Sequence, residues 1–529
     1  MLPLTHVDSK LRLALFVLLA LGATLFENAE AGGRRLAPVS PSELEALKTQ
    51  AARDTSPEVS GATAALPGPS AAMVTTAFNG LNRVSGGSLG FIFAPPDTIV
   101  AKSPNRVLEA VNSALRLFSP TGTVLDTKTL NSFFPVPDLS VANEGLLFDP
   151  KVYFDRNAAN KRFYVIALEK RIATEVSKIW LAVSRSADPT SLAASKWCRY
   201  KISGKRNGGT ANSSWADYPG LGAGANALVI TANQFRFTGD EGFTFAIIRV
   251  LNKLTLANNA TSCPALPAVK VFQPASATGD GNHFTIQPVQ HYSGPSSFTG
   301  VSQPAYALAT VFGTSTMYRV YRISNVSSTP KLHQDTVAGS FTYGIQPDAP
   351  QSDTASTIDT GDNRMTHAAG VGNFVTGVHG TLCNFGGGAT ESCARVVRIQ
   401  VSGPTLNATM SKQHVLGGTD QFHFWPGVAV NSTHDTAVVM QSIGATLTNG
   451  RLSARWTTRD SAAANFSTTK GLTTGTCPQT FTNRSGDYTG AQTDPSDFSS
   501  FWLAGERATT LPGRVLCEWQ TRIIKITAP

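Results

Sequence analysis

The chain has 529 residues and a formal net charge of +9, yet only 15% of its residues are charged and its mean hydropathy is -0.05. The Lys and Arg residues are scattered along the chain, which excludes the contiguous basic face that nucleic-acid binding requires. A mildly basic surface of this kind still favours acidic glycans or anionic walls at long range.

The N-terminus reads as a targeting segment. Lys10 and Arg12 precede an apolar run from Leu13 to Phe26, and Ala29-Glu30-Ala31 supplies the small residues of a cleavage site, so residues 1–31 are expected to be a secretory signal peptide. The run is shorter than the roughly 20 residues of a membrane span, and the C-terminal KITAP lacks the hydrophobic tail of a lipid-anchor signal. Secretion is the expectation, with a signal-anchored surface form as its alternative and no membrane span after cleavage. Residues 32–77, rich in Ala, Pro, Ser and Gly, read as a flexible leader with one short helix near Ser42 to Leu47. Within it Arg34-Arg35 is either a processing site or two solvated charges.

From Phe78 to Pro529 helical periodicity is almost absent. Short apolar or β-branched runs such as RFYVIAL, IWLAVS, ALVITA, FTFAIIRVL and RVVRIQV alternate with turn clusters, the pattern of an all-β sandwich, barrel or propeller. A recurring tetrad decides among these. Asp149-Pro150-Lys151-Val152, Tyr218-Pro219-Gly220-Leu221, Trp425-Pro426-Gly427-Val428 and Tyr488-Thr489-Gly490-Ala491 each begin a turn-and-strand unit. With weaker anchors near Asp97, Pro288 and Thr366, the steps run from about 53 to about 78 residues, each holding about four strand candidates. That is one propeller blade per step, so residues 78–529 are expected to form a single β-propeller domain of seven blades, six or eight being the alternatives. Ser119-Pro120-Thr121-Gly122 reads as a hairpin turn of the first blade, and Gly220 to Gly224 as another hairpin turn.

Six cysteines suit an oxidising compartment. Of the 15 possible pairings, neighbour pairing is preferred because it closes within or between adjacent repeats: Cys198–Cys263, Cys383–Cys393 and Cys477–Cys517. Sequons stand at Asn212, Asn259, Asn325, Asn407, Asn431, Asn465 and Asn483, candidate glycosylation sites on exposed loops.

The stretches PPDTIVAKSPNRVLEAVNSALRLFSPTG, FDPKVYFDRNAANKRFYVIA, ADYPGLG, IDTGDNRMTHAAG, FWPGVAVNS and GDYTGAQTDPSDFSSFWLAGE resemble those of secreted sialidase-like β-propeller proteins, many of them without an assigned function. The resemblance covers nearly everything from Phe78 onward and implies the fold rather than the chemistry. The chain departs from true sialidases in lacking a clear S-x-D-x-G-x-x-W turn and an assignable arginine triad with a Tyr/Glu pair, which puts sialidase activity in doubt.

In a propeller the residues just before each anchor converge on one mouth of the central channel. Here they are Asp97, Asp149, Asp217 with Tyr218, Asp362 with Arg364 and His367, His423 with Trp425, and Asp487 with Tyr488. Their carboxylates could hold a cation such as calcium, and their aromatic faces suit sugar rings; equally, the Asp residues could simply cap turns. Three functions are open. One is a secreted, glycosylated, monomeric propeller binding extracellular glycan or protein ligands at the mouth, with Asp97, Asp149, Asp217, Tyr218, Asp362, Trp425 and Asp487 as contacts. A second is a lyase or glycoside hydrolase using His367, His423, Tyr488 and Arg364, or paired carboxylates, on the same surface. A third is a structural wall or matrix component. No cofactor is required by any of them.

Overall fold

The computed structural model describes residues 36–53, 72–83, 95–136, 145–156, 161–205, 214–238, 241–274, 283–292, 304–385, 390–444, 450–480 and 482–529. The signal-peptide reading, Arg34-Arg35 and Asn212 lie outside these residues.

Short strands fold back on themselves in antiparallel meanders of four. The first runs through Ile99–Lys102, Val107–Val111, Ala114–Phe118 and Val124–Thr129. A second comprises Leu147–Asp155, Arg162–Arg171, Val176–Ser184 and Trp197–Ser203, and another Gln287–Pro288, Ala305–Thr310, Ser315–Ser324 and Lys331–Tyr343. Further along come Gln421–Val430, Thr436–Gly444, Ser453–Arg459 and Lys470–Thr473. The C-terminal sheet takes Gly490–Thr493, Phe501–Thr510 and Cys517–Ile526, and its outer strand is the N-terminal Val74–Asn82. A nine-stranded sheet holds two more meanders, one opening with Ser214–Ala223 and the other with Met365–Val371, joined because Gln290–Tyr292 pairs in parallel with both opening strands. The opening strands touch one another in chain order, and Gly490–Thr493 touches Ile99–Lys102 to close the circle. Sheets arranged radially around a ring of inner strands make the all-β molecule a β-propeller.

The composition of each strand follows from its place in that ring. Second strands lie between neighbouring sheets, so both of their faces are covered. Phe163 to Leu168 is accordingly a continuous buried run with no polar alternation. The two ends of the chain share one sheet, with Phe78 opposite Ile523 and Val74 opposite Ile526, which ties the last sheet to the beginning of the chain. The three disulfides are Cys198–Cys263, Cys383–Cys393 and Cys477–Cys517, the neighbour pairing expected. The turn at Ser119 is the expected hairpin, closed by Gly122 N–H donating to the Ser119 carbonyl.

In three of its four copies the recurring tetrad is a β-bulge. Phe148 and Lys151 pair with Leu168 and Ile166, so Asp149 and Pro150 together oppose one residue. The same two-against-one irregularity places Tyr218-Pro219 and Trp425-Pro426 in their inner strands. At the first bulge residue the backbone is left-handed: φ is 49° at Asp149, 50° at Tyr218 and 49° at Trp425, matched by 50° at Asp97 and 46° at Thr285. Non-glycine residues adopt this conformation at a cost of about 1–2 kcal/mol each. The third tetrad position is glycine where neighbouring inner strands come closest. A Cβ on Gly427 would lie 2.5 Å from the Thr489 carbonyl oxygen, and one on Gly490 2.5 Å from the Val100 nitrogen. Threonine hydroxyls link the ring as well: Thr366 Oγ1 donates to the Pro426 carbonyl at 2.6 Å and Thr489 Oγ1 to the Trp425 carbonyl at 2.8 Å.

Three expectations need correction. Gly220 to Ala223 belongs to the inner strand Ser214–Ala223 rather than to a hairpin turn. The helix expected near Ser42 to Leu47 is present but longer, Pro41–Arg53, and packs on the propeller rather than lying in a free leader, while the strand Val74–Asn82 starts before Phe78. Asn259 and Asn431 are fully buried. Their amide nitrogens donate to the Ser184 carbonyl and to Asp435 and the Ser499 carbonyl, so neither is available to a glycan. By contrast Asn325, Asn407 and Asn483 are exposed and Asn465 is half-buried.

Candidate functional site

The bulges turn the first tetrad residues toward one another, and a connected chain of hydrogen bonds results. Asp487 N–H donates to Asp97 Oδ1 at 2.6 Å. The Asn112 side chain bridges the next step, its amide donating to Asp97 Oδ2 while its oxygen accepts from Asp149 N–H at 2.7 Å. Asp149 Oδ2 then accepts from Tyr218 N–H at 3.0 Å, and the Tyr218 hydroxyl reaches across to the Asp487 carbonyl at 3.3 Å. Asp97 and Asp149 therefore do cap backbone N–H groups, and they do so between sheets.

An aromatic and cationic layer lies against this chain. The rings of Tyr218 and Tyr488 stand 4.9 Å apart, with Trp425 6.5 Å from Tyr218. Lys151 Nζ lies 2.9 Å from the centre of the Tyr488 ring, and the Arg364 guanidinium 4.6 Å from that of Tyr218 and 4.8 Å from that of Phe284. Such cation–π contacts strengthen where water is excluded. Arg364 is also gripped in a fork by Asp362, with Nε donating to Oδ1 at 2.8 Å. Arg484 donates to Asp487 at 2.9 Å. The aromatic rings and Arg364 are buried, and Asp149 and Asp217 are partly buried.

Crowding this much charge into a dry ring shifts the titrations. Burial, with the charges of Asp487 and Asp149, holds the Asp97 carboxyl well above the usual carboxylate range. Burial and Asp487 push Asp149 up to about 6, and burial and Asp149 push Asp217 up to about 8. Burial pulls Lys151 down to about 7, against the opposing pull of Asp149 and Asp97. Glu506, whose Oε1 accepts from Gly486 N–H at 2.9 Å, is pushed by burial up to about 8. Burial works against the Arg364 charge, but Asp362 more than compensates and its pKa rises. Three groups titrating near neutrality, side by side, mark a candidate functional site.

The two histidines of the expected catalytic set behave differently. His367 is buried, accepts from Val428 N–H at 3.1 Å through Nδ1, and is pulled by burial and the nearby Lys151 down to about 3. Its Nε2 has no hydrogen-bond partner among the described residues. His423 is fully buried, its Nδ1 hydrogen-bonded to the Leu416 carbonyl at 3.2 Å and its pKa lowered to about 4 by burial and Arg455. The structure thus brings Asp97, Asp149, Asp217, Tyr218, Asp362, Arg364, Trp425, Asp487 and Tyr488 together. His367 lies beside them, and the contacts of His423 run elsewhere. Sequence reasoning missed Lys151, Arg484 and Asn112. The first had a readable signal: it occupies the tetrad position that is Gly220, Gly427 and Gly490 in the other copies. Among the described residues no group of three or more His, Cys, Asp or Glu is arranged to hold a metal ion.

The leader lies on this site. Arg364 Nη2 donates to the Leu36 carbonyl at 2.8 Å. From the helix Pro41–Arg53, Lys48 is buried in an ion pair with both Asp348 and Asp359. Asp359 N–H in turn donates to the Asn483 carbonyl at 2.8 Å, beside Arg484. Ala37 and Leu44 pack with Ile345 and Phe312, and the Phe312 ring stands 5.6 Å from that of Phe284.

No protein-family model and no curated protein matches the chain. Solved structures similar to it include a protein of unknown function from Dyadobacter fermentans, at 9% identity and a TM-score of 0.38, covering 87% of this chain and 99% of that one. An α-L-arabinofuranosidase from Fusarium graminearum is 10% identical with a TM-score of 0.32, covering 81% and 96%. An endosialidase of phage phi92 is 7% identical with a TM-score of 0.38, covering 72% of each chain.

Proposed function

We propose that this is a secreted propeller that takes a carbohydrate chain at the mouth formed by Tyr218, Tyr488, Trp425, Arg364, Lys151, Asp149 and Asp217. Counting the two meanders of the nine-stranded sheet separately gives seven blades. The observation that carries the reading is the pairing of clustered, mutually tilted aromatic rings with partly buried carboxylates and held cations at one end of the ring. Apolar sugar faces suit the rings, and hydroxyl or carboxylate groups suit the polar neighbours. Three disulfides fit the oxidising compartment that secretion implies, and Asn325, Asn407, Asn465 and Asn483 are the sequons retained as glycosylation sites.

One observation favours a second reading, glycoside hydrolysis. Asp217 feels the charge of Asp149, and the two are pushed up to about 8 and about 6. Two neighbouring carboxyls with separated titrations can divide the work: Asp217, protonated at neutral pH, would donate a proton to the leaving oxygen, and ionised Asp149 would activate water or stabilise positive charge. A lyase built on His367 and His423 has no comparable support, since burial keeps both neutral and each bonds to backbone.

The test is a panel of neutral and uronate-bearing oligosaccharides scored for binding, for new reducing ends and for unsaturated products. Binding without cleavage supports the first reading. New reducing ends that fall at least 100-fold in Asp217→Asn support the second. Neither binding nor cleavage across the panel contradicts both.

A further inference from the structure

We infer that residues 36–53 form a displaceable cap that occupies the mouth of their own propeller and must leave before a ligand enters. The inference rests on the mouth being the ligand surface. Its own argument comes from where the cap touches. A backbone carbonyl, that of Leu36, takes a guanidinium donor of Arg364, the cation stacked on Tyr218. A sugar hydroxyl or carboxylate would need that same donor, so cap and ligand compete for one group. The second contact is Lys48, which sits between Asp348 and Asp359 on the rim.

The cap is built to come off as a unit. It is a single 13-residue helix with a short lead-in, and it adds no strand to any sheet. Its apolar anchorage is modest: Ala37 and Leu44, with Val39 and Leu47 beside them, meet Ile345 and Phe312, and Leu36 leans on the adjoining core. Isolated helices of this length are marginal in water, so the helix depends on its docking. Lys48 is the main polar latch. Removing a buried ion's partner is strongly destabilising, and undocking of the cap is the route by which Asp348 and Asp359 regain water.

The experiment needs no knowledge of the ligand. Asp217→Cys in the full chain puts a thiol at a partly buried position of the mouth, and its labelling rate with a bulky maleimide reports access. Hydrogen exchange over residues 41–53 reports docking. Lys48→Ala, or Leu44→Asp on the helix's own buried face, is expected to remove the exchange protection and to speed labelling at least tenfold. Because Leu44 belongs to the cap alone, the second variant tests the inference even if the first disturbs the rim. Loss of protection with unchanged labelling would show that the helix does not cover the mouth and would overturn the inference. Protection that survives both substitutions would show that the helix is fixed and would overturn it equally. Faster labelling, together with no carbohydrate binding by the parent chain or by Leu44→Asp with Asp217 intact, would leave the cap standing and refute the ligand reading instead.

Discussion

At the scale of single residues, the molecule keeps carboxyl groups in places where charge is costly. Glu506 is the simplest case, buried and pushed up to about 8 from 4.5. A carboxyl raised in the folded state contributes stability that is fully present below its unfolded pKa and is lost as pH rises through the folded value. For Glu506 that window runs from about 4.5 to about 8. Glu506→Gln keeps the oxygen that accepts from Gly486 N–H and cannot ionise. Chemical denaturation at pH 9 is therefore expected to show the variant more stable than the parent, by up to about 5 kcal/mol, with little difference at pH 4.5. The buried histidines act in the opposite sense. His367, held down to about 3, contributes stability above the unfolded value near 6.5 that is lost as pH falls toward 3. His367→Gln should accordingly flatten the acid limb of the stability profile. What the sequence allowed at this scale was the set of Asp, Tyr, Trp and Arg residues beside the tetrads, because position in a repeat predicts convergence. Asn112 was not legible, since its bridge from Asp97 to Asp149 is set by the meeting of two sheets, whereas Arg484, three residues from Asp487, lay within reach of a local reading.

At the scale of elements, the tetrad could be read as a repeat but not as a bulge. Its left-handed first residue becomes visible only when the register shows two residues facing one, as at Trp425-Pro426. The glycine that follows is explained by the neighbouring backbone. Gly427→Ala would press a methyl group against the Thr489 carbonyl, which is main chain and cannot swing aside. Thermal unfolding is expected to show a loss of about 1–3 kcal/mol for this variant, and no loss for Gly471→Ala, where open space surrounds the added carbon. The helix Pro41–Arg53 shows the limit of local reading. PSELEALKTQAAR is compatible with a solvated helix in a linker, and nothing near it in sequence reveals that Lys48 answers Asp348 and Asp359, about 300 residues on.

At the scale of the whole molecule, the ring holds because its ends meet. Val74–Asn82 covers the edge of Cys517–Ile526, and an uncovered edge strand is a template for association. Deleting residues 72–83 is predicted to lower the unfolding temperature and to produce oligomers in light scattering; a monomeric variant of unchanged stability would mean that the closure is dispensable. The propeller was legible from strand density and repeat length. The merging of two meanders through Gln290–Tyr292 was not, because a three-residue strand leaves no pattern. All of this architecture serves one claim, that the mouth is where carbohydrate binds. Calorimetric titration of the best oligosaccharide from the panel tests it most directly, comparing the parent chain with Asp217→Asn, Lys151→Met and, on the third strand of its meander, Glu391–Ser402, Arg398→Ala. The account predicts at least tenfold weaker binding for the two mouth variants and unchanged binding for Arg398→Ala. Equal affinity in all four proteins would contradict it.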